Sequence, residues 1–314
     1  MSVRSRVPVS VIVGVVLSLV LATQAWGAAS APTKLLGGRL DQIIPAANGG
    51  FLGWTQNRLG THTYDAMVRD LPLGSDTPGR LNPGGSRGYM GGISQDSNEA
   101  IYEKVTSSGG DIWIVPDLTN PTAGQTAAPS GINTPRQEAF PTISDNYILF
   151  TRVSLKYWSV ILFDRTSMTP TILASAPARC FCLTSGTVSD RYATWIKCGS
   201  VAHCNTFYYD ANDSTTHVFP NPNARPIYGG TISDTTGYMY AVRSGAACGA
   251  KVKILRWQFG TSNDPVVISS FAEGTDLVSR LFVYNDGVND TVYYDPASCK
   301  TARGDIYDVA LANT

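Results

Sequence analysis

The sequence predicts an all-β protein built from six similar units, each a four-stranded antiparallel sheet. Three observations support this fold class. The 314 residues include 30 Gly, 18 Pro and 15 Tyr but only 15% charged side chains, a mixture typical of short strands joined by tight turns. A serine–aspartate turn signal recurs along the chain at a nearly constant interval. Each copy of this turn is followed by β-rich runs in the same order.

The recurring turn defines the repeat. Four copies combine Ser with an acidic residue one or two positions later, at 92–96, 142–145, 187–190 and 231–234, and looser copies occupy 46–50 and 284–287. From Asn48 to Asp286, successive copies are 44 to 52 residues apart. A period of this length is typical of a protein made of repeated structural units.

Each turn is followed by three further predicted strands. The aromatic-rich second strands are predicted at 51–54, 100–102, 147–150, 192–195, 238–240 and 292–294. The third strands, most of which include an acidic residue, are predicted at 64–70, 111–115, 159–164, 206–210, 252–257 and 305–309. Weaker fourth strands follow, for example at 169–173 and 215–219. Four strands in about 45 residues, repeated, predict the blade of a β-propeller.

The two ends of the chain are predicted to contribute strands to the same sheet. The last copy ends at Thr314 after its third strand, whereas Thr33–Leu36 forms an isolated β-rich run before the first copy. Pairing these segments would close the ring and remove two exposed sheet edges. The sequence therefore predicts one domain over residues 30–314, a six-bladed β-propeller closed by its N-terminal strand. The alternative is a pair of β-sandwiches.

The repeated pattern resembles a known family. The Ser-Asp turn, the aromatic strand after it and an Ile306-Tyr307-Asp308 type of strand resemble the repeats of TolB-like six-bladed β-propellers, within the WD40-like propeller superfamily. The family's usual Ser-Pro-Asp-Gly turn is never present whole, because no Pro separates Ser from Asp and no Gly follows Asp145 or Asp190. The resemblance implies the fold, with no catalytic or binding residue carried over.

Residues 1–29 are predicted to be a signal peptide. Arg4 and Arg6 precede an apolar run from Val7 to Ala22, and small residues at 25–30 offer cleavage after Gly27 or Ala29. The run of about 16 residues is shorter than the ~20 that span a bilayer. We expect an exported monomer, in the periplasm or outside the cell, with no membrane span after cleavage. An uncleaved anchor is the alternative.

Six cysteines, all in the second half of the chain, agree with export. They are Cys180, Cys182, Cys198, Cys204, Cys248 and Cys299. Outside the cytosol an even number of cysteines indicates disulfides. In a propeller the loops that carry them emerge on one face, and Cys248 with Cys299 is the expected pair on adjacent blades. Cys198 with Cys204 would close a hairpin.

Two alternatives to that hairpin bridge remain open. Cys180 and Cys182 could pair with Cys198 and Cys204, and sequence does not choose between these connectivities. A zinc site could instead use the four cysteines of this region together with His203. Oxidation outside the cytosol argues against zinc.

The recurring turns have a structural and a chemical interpretation. Asp and Ser side chains accept hydrogen bonds from nearby backbone N–H groups, which stabilises turns, and we favour this over a ring of metal-binding or catalytic carboxylates. Calcium at 210–213 or 285–290 is an alternative, but no cofactor is expected. Tyr157 and Trp158, in or beside a hairpin loop, either pack between blades or stack on a sugar ligand.

The charge and the motifs of the sequence limit the classes of function that we expect. With 24 basic and 24 acidic side chains, the chain has no basic field that would attract nucleic acid. None of His62, His203 and His217 is predicted on an axial strand, and no Gly-x-Ser-x-Gly motif occurs. We therefore predict no catalytic residue.

The sequence predicts a secreted, non-catalytic propeller that binds a protein or another macromolecule such as a glycan. The alternative is an extracellular hydrolase or lyase that uses carboxylates on the inner strands to cleave a polysaccharide in the axial channel. A structural component of the cell envelope is a third hypothesis.

Overall fold

The structure, a computed structural model, describes most of the chain after the predicted signal peptide. The described residues are 29–37, 40–58, 61, 63–74, 77–107, 109–121, 124–178, 183–200, 203–221, 227–243, 252–259, 261, 263–270, 275–298 and 304–312. The signal-peptide prediction therefore falls almost entirely outside them. Within these ranges there is no helix with the length and apolar character needed to cross a membrane.

In the described part of the chain, twenty-four strands form six four-stranded antiparallel sheets, which we call blades 1 to 6. Blade 1 contains β2 (Gln42–Ala47), β3 (Phe51–Asn57), β4 (Tyr64–Asp70) and β5 (Gly79–Arg80). Blade 2 contains β6 (Arg87–Ile93), β7 (Ala100–Thr106), β8 (Gly109–Val115) and β9 (Thr126–Ala127). Blade 3 contains β10 (Gln137–Ile143), β11 (Tyr147–Val153), β12 (Tyr157–Asp164) and β13 (Thr169–Pro177).

The second half of the chain repeats this arrangement. Blade 4 contains β14 (Leu183–Val188), β15 (Tyr192–Ser200), β16 (His203–Asp210) and β17 (Thr215–Val218). Blade 5 contains β18 (Ile227–Ser233), β19 (Tyr238–Arg243), β20 (Lys253–Gln258) and β21 (Val266–Ser270). Blade 6 contains β22 (Thr275–Asn285), β23 (Asn289–Ser298), β24 (Ile306–Ala312) and β1 (Thr33–Leu36). The predicted six-bladed propeller is confirmed, and the paired β-sandwich alternative is wrong.

The N-terminal strand closes the ring as predicted. β1 pairs with β24 in an antiparallel register that places Thr33 opposite Asp308, so the fourth strand of blade 6 comes from the other end of the chain. Leu35 and Leu36 pack against the apolar core of blade 1. β1 thereby covers the outer edge of β24, which would otherwise be unpaired.

Each blade buries a large aromatic side chain of its second strand. These six side chains are Trp54, Tyr102, Phe150, Trp195, Tyr240 and Tyr294, each with 2% of its surface exposed or less. They belong to the apolar clusters of the ring. The aromatic residues that mark the second strands in the sequence therefore fill the core.

The repeated turns link each blade to the next. Ser144 Oγ accepts a hydrogen bond from the backbone N–H of Tyr147, which stabilises its own turn as predicted. The aspartates also reach between blades, because Ser94 Oγ donates to Asp145 of the next turn at 2.8 Å. Ser189 Oγ donates to Asp234 in the same way, at 2.7 Å. The turn signal is therefore also an inter-blade contact, which one repeat considered alone does not reveal.

The ring closure predicts a measurable loss of stability when β1 is removed. Deleting residues 31–37 exposes the edge of β24 and the apolar side chains of blade 1, so we expect the melting temperature to fall by roughly 5 °C or more. Lys34→Ala is the matched control, since it removes only an exposed ion pair with Asp305, worth at most about 1 kcal/mol. Equal melting temperatures for the deletion and the parent protein would contradict closure by β1.

Candidate functional site

A cavity of about 450 Å³ lies on the propeller axis and is lined by residues from all six blades. It lies toward the end of the channel at which the first strands begin, beside Gln137 of β10 and Thr184 of β14. The hairpin loops between second and third strands emerge on the same face. The cavity is concave and largely apolar, with a few polar groups, which is the usual character of a ligand site.

Irregular first strands shape this cavity. The register between the first and second strands shifts once in blades 1 to 5 and twice in blade 6, and each shift leaves one or two first-strand residues without a ladder partner. Ile44 and Phe140 in these segments have φ values of 57° and 53°, which L-residues rarely adopt. Gly91 lies in such a segment, and a Cβ there would collide with the carbonyl oxygen of Pro141. The absence of a side chain at Gly91 therefore lets the inner strands of blades 2 and 3 approach each other closely.

Arg280 of β22 crosses the axis and binds backbone carbonyl groups of other blades. Its Nη1 donates to the carbonyl oxygen of Gly91 at 2.7 Å, and Nη2 donates to those of Phe140 at 3.2 Å and Ser185 at 3.3 Å. These acceptors belong to blades 2, 3 and 4. A planar guanidinium with five N–H groups can serve several acceptors at once, so Arg280 joins four blades at the axis.

Arg280 is buried, and Asp295 helps to organise the same region. Burial lowers the pKa of Arg280 to about 10, while Asp295 and Glu103 raise it, so the guanidinium stays charged at neutral pH. Asp295 of β23 is fully buried and accepts hydrogen bonds from the backbone N–H groups of Ile44 at 2.8 Å and Arg280 at 3.4 Å. Blade 1 is thereby joined to blade 6.

Glu103 of β7 lines the cavity and is only 5% exposed. Burial raises the pKa of its carboxyl group to about 7, although hydrogen bonds from Gln137 and the Phe140 backbone and the charge of Arg280 lower it. The Gln137 contact is long, at 3.4 Å between Nε2 and Oε1. A carboxyl group with a strongly shifted pKa inside a cavity is a candidate functional group.

An exposed apolar rim adjoins the cavity on blade 3. Phe140 at the cavity is 38% exposed, and Leu155 and Tyr157 in the β11–β12 hairpin are 102% and 57% exposed. Gln137 lines both the axial cavity and a shallow depression beside this hairpin. The rim, defined as Phe140, Leu155 and Tyr157, therefore extends the cavity surface outward.

The two aromatic residues singled out from the sequence have different environments. Tyr157 is exposed on the rim, in reach of a ligand. Trp158 instead packs against the apolar core of blades 3 and 4. The structure is consistent with a contact role for Tyr157, whereas Trp158 has a packing position.

The structure decides between the alternative pairings for two of the six cysteines. Cys198 and Cys204 form a disulfide across the β15–β16 hairpin, which rules out their pairing with Cys180 and Cys182 and also the zinc site that would need both thiols. Cys180, Cys182, Cys248 and Cys299 lie outside the described residues. The bridge lies on the face to which the cavity is closest.

Two carboxylates of the opposite face are used within the fold. Asp210 pairs with Arg191 at 2.7 Å, and Asp290 accepts hydrogen bonds from Ser233, Tyr240 and Asn285. Among the described residues, no three His, Cys, Asp or Glu side chains are arranged to hold a metal ion. Calcium at 210–213 or 285–290 stays a prediction.

Two of the three histidines lie on outer strands, as predicted. His203 is on β16 and His217 is on β17, where its ring stacks on Tyr208 with centroids 4.8 Å apart. His62 lies outside the described residues.

Glu103, Arg280 and Asp295 were not identified from the sequence. A signal for Arg280 was available, because the first-strand residues that lack a ladder partner in blades 1 to 5 are all uncharged. They are Ile44, Pro45, Gly91, Phe140, Pro141, Gly186, Thr187, Gly229 and Gly230. A charged residue in such a segment indicates a special role.

The contacts of Arg280 predict a large effect of its substitution. Arg280→Met leaves several inner-strand carbonyl groups without their donor, so we expect the free energy of unfolding in urea to fall by roughly 3 kcal/mol. Arg136→Met is the matched control, since Arg136 is exposed and makes no ion pair with any residue that the structure describes. Similar values for the two variants would show that the axial contacts contribute little.

Glu103 predicts a specific pH dependence of stability. Its pKa is about 7 in the folded protein against an ordinary 4.5, so ionisation disfavours folding. The free energy of unfolding should fall by roughly 3 kcal/mol as pH rises from 4.5 through 7. Glu103→Gln should remove this component, which makes the variant more stable than the parent at pH 8 but not at pH 4.5. Parallel stability curves for the two proteins would contradict the shifted pKa.

Comparison with known proteins identifies structures that have a similar fold. No family model and no curated protein matches the sequence. TolB from Acinetobacter baumannii is similar in structure, with a TM-score of 0.57 and 12% identity over 84% of this chain, which spans 64% of that TolB chain. A putative TolB from Agrobacterium tumefaciens has a TM-score of 0.56 and 13% identity, covering 87% of this chain and 91% of its own.

A protein of unknown function from Dyadobacter fermentans matches over more of both chains. Its TM-score is 0.60 at 8% identity, with 90% of this chain and 99% of that chain covered. Identities this low establish a common fold and leave the function open. The chain therefore has a six-bladed β-propeller fold similar to that of TolB.

Proposed function

We propose that the protein is a non-catalytic binding module that holds a segment of a protein or another macromolecule in the axial cavity. The observation that carries this proposal is the cavity itself, about 450 Å³ in volume, with apolar walls and the buried groups Glu103 and Arg280. Ligand sites combine these same features, because apolar walls supply burial and a few polar groups supply specificity.

The rim supports a macromolecular ligand. Phe140, Leu155 and Tyr157 expose apolar surface next to the cavity, and exposed aromatic and apolar side chains beside a pocket are typical of contact surfaces. A partner segment could bury its anchor in the cavity and cover the rim with flanking residues. A small metabolite would use the cavity but leave the rim exposed.

The site is also preorganised. Arg280 and Asp295 hold the inner strands in place, and the Cys198–Cys204 disulfide constrains a hairpin on the same face. Binding to a rigid surface loses less conformational entropy than binding to a mobile one. A disulfide is typical of proteins outside the cytosol, which supports the export inferred from residues 1–29.

A polysaccharide hydrolase or lyase is the second candidate. Glu103, with a pKa near neutrality, has the property of a general acid or base. Glycoside hydrolysis ordinarily uses two carboxyl groups about 5 to 10 Å apart, and Glu103 is the one carboxyl group among the cavity-lining residues that the structure describes. One carboxyl group where glycoside hydrolysis ordinarily uses two favours binding over catalysis.

A cavity-blocking variant tests the proposal. Thr184→Trp places a large side chain on the cavity wall, whereas Val288→Trp adds the same group at an exposed turn of blade 6. The parent and both variants, each checked by thermal melting, would be applied to arrays of peptides and oligosaccharides. We expect ligands that the parent and Val288→Trp retain and that Thr184→Trp loses.

The same preparations would be assayed for release of reducing sugars and of unsaturated sugar products. Turnover of an oligosaccharide that is abolished by Thr184→Trp would replace the binding proposal with the enzymatic one. Binding that is equal in all three proteins would show that the axial cavity is not the site.

A further inference from the structure

We propose that the axial cavity accepts a lysine or arginine side chain of a partner protein, whose cationic group pairs with the carboxylate of Glu103. This inference rests on the proposed binding function and adds the chemistry of the ligand. It follows from the charges inside the ring, the unused hydrogen-bonding capacity of Glu103 and the character of the walls.

The two charged side chains of the cavity do not pair with each other. Glu103 is the one acidic group and Arg280 the one basic group among the described residues that line the cavity. Arg280 directs its Nη atoms to the carbonyl oxygens of blades 2, 3 and 4, and it forms no ion pair with Glu103 within 4 Å. When Glu103 is ionised, its carboxylate therefore has no ion-pair partner among the described residues.

Glu103 has room for a further donor. A carboxylate offers about four lone-pair sites, and the described partners of this one are Gln137 Nε2, at 3.4 Å, and the backbone N–H of Phe140. Gly110 on the next strand leaves space for it, because a Cβ there would collide with Glu103 Oε1. A cation in the cavity could therefore approach the carboxylate directly.

The walls suit the stem of a long basic side chain. Tyr89, Met90, Val105, Phe140 and Ile196 supply apolar surface around the cavity. Lysine and arginine carry three or four methylene groups that pack on such surface while the charged end reaches a polar partner. A volume of about 450 Å³ holds one such side chain together with a few water molecules.

The groups that face Glu103 determine how binding depends on pH. Tyr89 of β6 contributes a phenol, which Glu103 affects electrostatically, Gln137 of β10 contributes an uncharged amide, and Arg280 of β22 contributes a fixed positive charge. Opposite Glu103 on β8 lies the apolar Ile112. Between pH 5 and 8, Glu103 is therefore the group of this set that changes charge, so a cation should bind more tightly as the pH rises.

Short peptides test the inference directly. The probes are acetyl-Gly-Gly-Xaa-Gly-Gly-amides in which Xaa is lysine, arginine, norleucine or glutamate, titrated against the full chain by calorimetry or NMR. At pH 8 we expect the lysine and arginine peptides to bind about tenfold or more tightly than the norleucine peptide. The glutamate peptide should bind most weakly.

Two variants identify the origin of this preference. In Glu103→Gln, the basic peptides should bind about as tightly as the norleucine peptide. Asp117→Asn removes one negative charge from an exposed loop and should leave the preference for the basic peptides unchanged. In the parent protein the preference should also decline between pH 8 and pH 5. If Glu103→Gln does not fold, the pH series on the parent protein tests the inference instead. A preference for the basic peptides that is constant between pH 8 and pH 5 overturns the inference.

The outcomes separate this inference from the proposed function. Equal binding of the norleucine and lysine peptides, lost in Thr184→Trp, would overturn the role of Glu103 and leave the axial binding site in place. A basic preference that survives in Thr184→Trp would also overturn the inference, because the cation would then bind elsewhere. Absence of binding by every peptide at millimolar concentration would overturn the inference, whereas the binding function is overturned only if the arrays of peptides and oligosaccharides also show no ligand that Thr184→Trp loses.

Discussion

The contacts of one buried guanidinium hold the centre of this propeller together. First strands in a ring approach one another closely, and their register shifts leave backbone carbonyl groups near the axis without ladder partners. Buried carbonyl groups without a donor are costly. Arg280 supplies donors to three other blades from blade 6, and Asp295 supplies an acceptor for blade 1. The axial geometry depends on this pair of residues.

The use of Arg280 as a donor to backbone carbonyl groups has an electrostatic consequence for the cavity. A charged side chain that is used to satisfy carbonyl groups is not available to pair with a carboxylate, and Glu103 retains a raised pKa although Arg280 is nearby. The structural role of the arginine and the unpaired state of the glutamate are therefore linked. A group that destabilises the folded protein at neutral pH is understandable where it serves a ligand.

The two faces of the ring differ in how their polar groups are used. On the face of the turns between first and second strands, serine and aspartate side chains bind each other from blade to blade. On the other face the rim exposes apolar surface next to a cavity. The first face is therefore joined by polar contacts between blades, whereas the second presents apolar surface to its surroundings.

The fold was predictable from sequence because its signals are local. A turn that needs Ser and Asp, a strand with a buried aromatic residue and a spacing of 44 to 52 residues can each be recognised without knowledge of the rest of the chain. The isolated strand Thr33–Leu36 was identified because a blade with three strands needs a fourth. These features repeat six times, so errors in single copies do not obscure the pattern.

The site required the tertiary structure because its residues are distant in sequence and occur once. Glu103 and Arg280 are 177 positions apart. The neighbours of Glu103 do not distinguish it from a charged residue on a solvent-exposed strand, and Arg280 is distinguished only when the first strands of all blades are compared. The same applies to the bridge between Cys198 and Cys204, one of several connectivities that the sequence allowed. Local hydrogen bonding and strand periodicity determine the blade, whereas burial and charge pairing depend on which blades meet at the axis, and only the closed ring decides that.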